Sequence, residues 1–219
     1  ALVAISSIVQ KQILAYTGRT AQLIPNMVDT DYFVPKSTKS HTIRLFSMSR
    51  FTGPKGVEDL AKALILLDEM GFDFQMLWAG EGKLKDSIIR QCSAISRKIH
   101  FTRFLSRGEA LRAYQNCDIY LMPSRVESFS MVLIEAMSCG KPVVATDCGG
   151  PKDIVFEGAG ILTKVQDPQD FANAIITASK NLNAFSEAGI RNYCIQNFGE
   201  AAVCKRLTHA FAQMIESGL

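Results

Sequence analysis

Glu127 and Glu135 stand eight positions apart, with the almost wholly apolar SFSMVLI between them. A carboxylate accepts two hydrogen bonds in a fork and so suits a vicinal diol. The intervening residues set up a helix that starts near Ser130, with Ser128 or Ser130 as its cap, and stops before Gly140. The backbone N–H groups of Ser130, Met131 and Val132 would then be open at a positive helix end, which suits phosphate. Glu135 lies about one and a half turns further in, roughly 7 Å along the axis. A diphosphate over that helix end would place one end group near Glu127 and the other near Glu135. The chemistry implied is two sugar-like rings joined by one pyrophosphate.

Cations with matching chemistry lie elsewhere. SRFTGPKG (49–56) sets Arg50 and Lys55 about a Gly-Pro turn. Arg binds phosphate bidentately and Lys acts as a point charge. Together they would stabilise the negative charge that builds on a departing diphosphate, a role a metal ion fills in other enzymes. GEGK (80–83) is a glycine turn without the spacing of a Walker loop or a G-x-G-x-x-G fingerprint. At Gly80 both a tight turn and a ligand-lining role remain open. Asp29 and Asp31 form a D-x-D, but within a turn-rich stretch ahead of the main strands, so they read as turn chemistry and no metal ligands are assigned.

These residues need elements to hold them. From residue 43 onward short β-type runs alternate with helical patterns. Strands are expected at 43–49, 74–80, 99–104, 118–124, 142–146 and 160–164. The helices between and after them fall near 56–70, 82–96, 107–115, after Ser130, 151–156 and 168–180. Two more, near 183–196 and 199–216, close the chain. Near-continuous apolar strands alternating with helices imply an α/β fold, a doubly wound, Rossmann-like parallel sheet. Ligands of such sheets bind beyond the carboxyl ends of the strands. The residues there are Ser49 and Arg50 with Lys55, Gly80 to Gly82, Thr102 and Arg103, Pro123 to Glu127, and Asp147 to Gly150. Before the sheet, 4–17 reads as helix, 21–25 as strand and 25–41 as linker.

Composition narrows the class. The 219 residues suffice for one large core, and the formal charge of +3 is too small to argue for nucleic acid. Six cysteines without a C-x-x-C pair, beside three histidines, point away from a zinc site. They read as small core residues in a reducing cytoplasm. No apolar run approaches the ~20 residues that span a bilayer. The opening ALVAISSIV lacks a basic leader and reads as part of a neighbouring unit.

ESFSMVLIEAMSCGKPVVATDCGGPKDIV resembles the signature of the GT4 family, the group 1 retaining glycosyltransferases of GT-B fold, whose E-x7-E motif the two glutamates match. The resemblance extends to SRFTGPKGVEDLAKAL, to WAGEGKLKDSI and to IPNMVDTDYFVP, which is similar to the family's hinge segment. It implies the C-terminal, donor-binding half of a two-domain enzyme. Residues 1–36 would be the end of the acceptor domain plus hinge, 37–198 the nucleotide-sugar domain, and 199–219 a helix returning to the acceptor domain. Position by position, Glu127 corresponds to the carboxylate facing the donor sugar and Glu135 to the one on the ribose. Arg50 and Lys55 correspond to the diphosphate clamp, and Ser130, Met131 and Val132 to the phosphate and sugar cradle. Thr102, Arg103 and Phe104 fall where the family meets the nucleobase, with Gly80 nearby. Ser130, Arg103 and Met27 stand where the family usually has glycine, which bears on donor choice.

The expected function is transfer of a sugar from a nucleotide diphosphate sugar to an acceptor with retention, without a metal cofactor, in bacterial surface polysaccharide or glycoconjugate synthesis. The expected partner is an acceptor domain, and the expected location the cytoplasm, at the inner face of the plasma membrane. A non-catalytic GT-B-like binding module and a GT-B sugar-nucleotide epimerase are the competing readings. Loss of Glu127, Glu135, Arg50 or Lys55 would have favoured the module, and all four are present.

Overall fold

The computed structural model describes residues 2–36 and 40–216. At the start of the chain β1 (Val3–Ala4) pairs in parallel with β2 (Gln22–Leu23), joined by helix α1 (Ser7–Thr17). The apolar run at 4–17 is therefore strand and then helix, where one helix was expected. Ser6 sits in extended backbone, and its side chain accepts from the Val9 N–H, so the helix begins only after it. The strand expected over 21–25 is the two residues of β2.

The body of the molecule is one parallel sheet. Its strands are β3 (Ile43–Met48), β4 (Phe74–Ala79), β5 (Ile99–Thr102), β6 (Ile119–Met122), β7 (Val143–Thr146) and β8 (Gly160–Thr163). They lie in the order β5-β4-β3-β6-β7-β8, which is the doubly wound order. Successive side chains of a strand face opposite ways, and the core divides accordingly. Phe46, Tyr120, Met122 and Val143 pack with α4 (Arg107–Asn116), α5 (Met131–Ser138) and α7 (Glu187–Phe198). Leu45, Trp78, Leu121 and Val144 pack on the other face, with α2 (Val57–Glu69), α3 (Lys85–Gln91) and α6 (Pro168–Lys180). Burial on both faces is why these strands read as unbroken apolar runs.

Local signals agree with the elements. Ser106 and Glu109 form a reciprocal capping box at the head of α4. Asp167 caps α6, with Pro168 in its first turn. The helix expected over 82–96 divides at Cys92, where ψ is +11°, into α3 and a 3-10 segment, Ser93–Lys98, which is itself kinked at the buried Ile95, φ −111°. The short helix expected near 151–156 is a 3-10 turn, Gly150–Asp153.

The stretch from 25 to 36 is irregular, as a linker would be, yet it is not loose. Arg191 on α7 donates to the carbonyls of Thr30 and Phe33, each at 2.8 Å, and Ser138 Oγ donates to the Phe33 carbonyl at 2.7 Å. Phe33 and Val28 are buried against the body. The rest of the expected linker includes 37–39, where the expected domain boundary also falls; those residues lie outside the described ones. Helix α8 (Glu200–Glu216) packs Val203 and Ala210 on Ile24 and leaves Phe211 and Ile215 exposed. The expected helix ran to 219, and 217–219 likewise lie outside the described residues. Of the cysteines, 92, 117, 139 and 194 are buried as expected, Cys148 is half-buried, and Cys204 is exposed. Among the described residues no helix is long and apolar enough to cross a membrane.

Candidate functional site

The sheet order creates a crevice. The chain steps outward from β3 to β4 and β5, then crosses back through α4 to β6 on the other side of β3. Loops leaving β3 and β6 therefore diverge, and a pocket opens at their carboxyl ends. It has a volume of about 260 Å³ and is lined by Ser49 and Lys55 beyond β3, and by Pro123 and Glu127 beyond β6, with Phe104 and Val132 closing its sides.

Lys55 and Glu127, 72 residues apart, meet in this pocket with Nζ 2.6 Å from Oε2. Each is positioned by its own loop. Lys55 ends a 3-10 turn, Gly53–Lys55, whose Pro54 carbonyl accepts from the Arg125 N–H at 2.8 Å. Gly56 follows at φ +65°, and a Cβ there would overlap the Pro123 carbonyl, so only glycine lets the turn press on the end of β6. Arg125 forks onto Asp59 at 2.7 and 3.0 Å, which fixes the loop from below and raises the guanidinium's pKa. Glu127 is held through its backbone. It bridges Gly149, and its carbonyl accepts from the Gly150 N–H at 2.8 Å. Arg50 is exposed, and among the described residues no side-chain acceptor is paired with it.

Helix α5 starts beside this loop. Ser130 occupies its N-cap position, as one of the two expected caps, but its hydroxyl does not cap. It is buried and lies 3.1 Å from Met122 Sδ, because the loop geometry turns Ser130 inward. The first-turn N–H groups, Met131 and Val132 among them, thus gain no acceptor from that side chain.

Glu135 faces elsewhere. Tyr114 donates its hydroxyl to Oε2 at 2.8 Å, and burial raises the Glu135 pKa while that hydrogen bond opposes the rise. Glu135 lines a second pocket of about 320 Å³ with Met27, Asp29, Phe33, Arg107 and Glu200. Arg107 pairs with Asp29 at 2.6 Å and lies 4.1 Å over the Tyr32 ring. Val132 lines the first pocket and Met131 the second, so the head of α5 stands between the two carboxylates. Asp29 is engaged as the turn reading expected, since its Oδ1 accepts from the Tyr32 N–H at 2.9 Å.

The β5 end is braced by its own contacts. Arg103 forks onto Glu109 at 3.1 and 2.9 Å and donates to the Phe104 carbonyl at 2.7 Å. The Arg103 and Ser106 partners pull the Glu109 pKa down to about 2. Phe104 stays 42% exposed, enough for its ring to meet a ligand in the first pocket. The Thr102 carbonyl accepts from the Gly80 N–H and from Lys85 Nζ, each at 3.1 Å. Gly80 sits at φ +144°, where a Cβ would overlap the Ser49 carbonyl, and it lines neither pocket. Its glycine thus serves close backbone packing between the β3 and β4 ends. Sequence reasoning missed Tyr114, Arg107 and Glu200. Tyr114 follows the helical apolar spacing of Ala110 and Ala113, which marks it as core but says nothing of its hydroxyl.

Comparison with known proteins adds a second line. Residues 29–196 match the family described as glycosyl transferases group 1. An uncharacterized glycosyltransferase of Methanocaldococcus jannaschii is 33% identical over 135 residues, covering 60% of this chain and 36% of that protein. A GDP-mannose-dependent phosphatidylinositol monomannoside mannosyltransferase of Corynebacterium glutamicum is 26% identical over 176 residues, covering 72% and 46%. The structure of Anabaena HepE in complex with UDP superposes with a TM-score of 0.85 at 22% identity, covering 96% of this chain and 63% of that one. That likeness shows a shared fold. The chain spans less than half the length of both of these curated relatives.

Proposed function

This chain belongs to the group 1 glycosyl transferases, and from that premise we propose that it is the C-terminal, donor-binding half of a retaining GT-B glycosyltransferase of the GT4 type. It binds a nucleotide diphosphate sugar and passes the sugar to an acceptor hydroxyl. The observation that carries this reading is the meeting of Lys55 and Glu127 in the pocket at the sheet's switch point. A cation beside a carboxylate suits a substrate in which an anionic diphosphate adjoins a polyhydroxylated ring.

In this reading the diphosphate lies over the head of α5, within reach of Lys55 and Arg50. The ribose hydroxyls meet Glu135, and the base lies toward Phe104 and Arg103. On transfer, the bond from the anomeric carbon to the diphosphate oxygen breaks, and a bond to the acceptor oxygen forms on the same face. The acceptor's proton leaves with the diphosphate. Lys55 and Arg50 stabilise the charge on that leaving group, and Glu127 orients the sugar. The GDP-mannose named for the Corynebacterium relative and the UDP bound by the Anabaena protein support a nucleotide-sugar donor. The acceptor side is proposed to come from a second domain that includes the 1–36 segment. The proposed setting is surface polysaccharide or glycoconjugate synthesis, at the cytoplasmic face of the plasma membrane.

Calorimetric titration with UDP, GDP and ADP and their sugar conjugates, beside a Glu135→Ala variant, tests the donor site. Micromolar binding of one nucleotide that weakens in the variant is the expected result. Equal binding by both proteins would remove Glu135 from the site, and no binding by the full-length enzyme would end the reading.

A further inference from the structure

None of the side chains of helix α1 is fully buried. Core packing alone therefore does little to fix where it sits. It is tied at its head by one residue of the sheet domain. Asp153 Oδ2 accepts from the Ser7 N–H at 2.6 Å, and its Oδ1 accepts from Ser7 Oγ at 2.8 Å. The two partners are 146 residues apart, and using both oxygens fixes direction as well as distance. A carboxylate at a helix N-terminus also meets the positive end of the helix dipole.

The next residue along α1 reaches the carboxylate-bearing loop. The Ile8 side chain lies over Gly149, 3.5 Å from where a Cβ would stand. Gly149 is at φ +123° and bridges Glu127, and the following Gly150 N–H binds the Glu127 carbonyl. A Cβ on Gly150 would overlap the backbone at Ser128 and Phe129, so this turn has little room to shift. One continuous path thus runs from Asp153 through Ser7 and Ile8 to the backbone of Glu127.

We propose that Asp153 is a positioning residue, which docks the first turn of α1 against the Gly149 turn so that α1 and the Glu127 loop form one rigid wall on the acceptor side. This rests on the reading of Glu127 as the carboxylate at the reacting sugar. Asp153 touches neither the diphosphate nor the sugar in that reading, so its loss should leave nucleotide binding alone and misplace only the groups at the transfer step. Misplacement by about 1 Å can cost up to about 100-fold in rate.

The test measures two quantities on the full-length protein: affinity for the nucleoside diphosphate that titrates, and kcat for hydrolysis or transfer of its sugar conjugate. For Asp153→Ala we expect affinity within about twofold of wild type and kcat lower by about tenfold or more. Asp153→Asn keeps one accepting oxygen and should fall between the two. Ser7→Ala keeps the backbone bond and should fall least. If Asp153→Ala does not fold, the other two variants carry the comparison. A kcat within twofold of wild type in every folded variant would overturn the proposal, as would equal losses in affinity and kcat. A wild-type protein that neither binds nor turns over any nucleotide sugar would instead overturn the reading of the site, and this inference with it.

Discussion

The two glutamates share a residue type and a helix end, yet their surroundings differ throughout. Glu127 sits on a loop held through its backbone, with its carboxylate paired to a lysine in an open crevice. Glu135 sits on a helix, with its carboxylate tied to a buried tyrosine and its pKa raised by burial. A loop-borne carboxylate paired with a lysine can exchange that partner for substrate. A helix-borne carboxylate with a fixed donor keeps its geometry whether or not a ligand is present. The first arrangement suits a group that acts during reaction, and the second a group that only recognises.

Four measurements would break or sharpen that division. Glu127→Gln should lower the transfer rate by about 10²–10³-fold, as loss of a group acting on the transition state does, while nucleotide affinity changes by no more than about threefold. A comparable loss in affinity would erase the distinction. Glu135→Ala should do the reverse, weakening nucleotide binding by about 10–100-fold, since a hydrogen bond to a charged group is worth about 1.5–3 kcal/mol. Its kcat at saturating donor should change little.

The third measurement concerns pH. Because burial raises the Glu135 pKa, nucleotide binding should weaken on acidification at a pH above the ordinary carboxylate range, and Glu135→Gln should flatten that limb. Stability runs the other way. The folded state holds this proton more tightly than the unfolded chain, so the group's contribution is fully present below the unfolded pKa and is lost as pH rises through the folded one. A wild-type affinity profile that superposes on that of Glu135→Gln would show that Glu135 does not face the nucleotide. The smallest effect belongs to Tyr114→Phe, which removes the hydroxyl and should weaken nucleotide binding by about fivefold at most. An unchanged affinity would mean that the helix alone orients Glu135.

Much of this was legible in the sequence, for identifiable reasons. The six strands followed from apolar runs, and the helices expected near 107–115 and 168–180 are α4 and α6, because such patterns act within a few residues. Glu127, Glu135, Arg50 and Lys55 stood out by type and spacing. What could not be read were contacts set by strand order. Lys55 meets Glu127 only because β3 and β6 are neighbours, and Asp153 meets Ser7 only because the turn after β7 comes against the head of α1. Ser130 shows the limit even of a local signal. A serine at a helix start predicts a cap, but its hydroxyl turned to Met122 instead. Gly80 shows another limit, since a glycine that permits close backbone packing looks the same in sequence as one that lines a ligand.

The Phe33 carbonyl accepts from both Ser138 and Arg191, and Arg191 also donates to the Ser138 carbonyl at 2.7 Å. These bonds clasp the last residue of α5, a helix of only eight residues. A helix this short does not persist in water on its own, so its order comes from its neighbours. In the proposed reading, anchoring at the tail keeps the amides at its head aligned before a phosphate arrives. Little conformational entropy is then lost on binding, and the association should carry a smaller unfavourable entropy than a site that must first coil its helix.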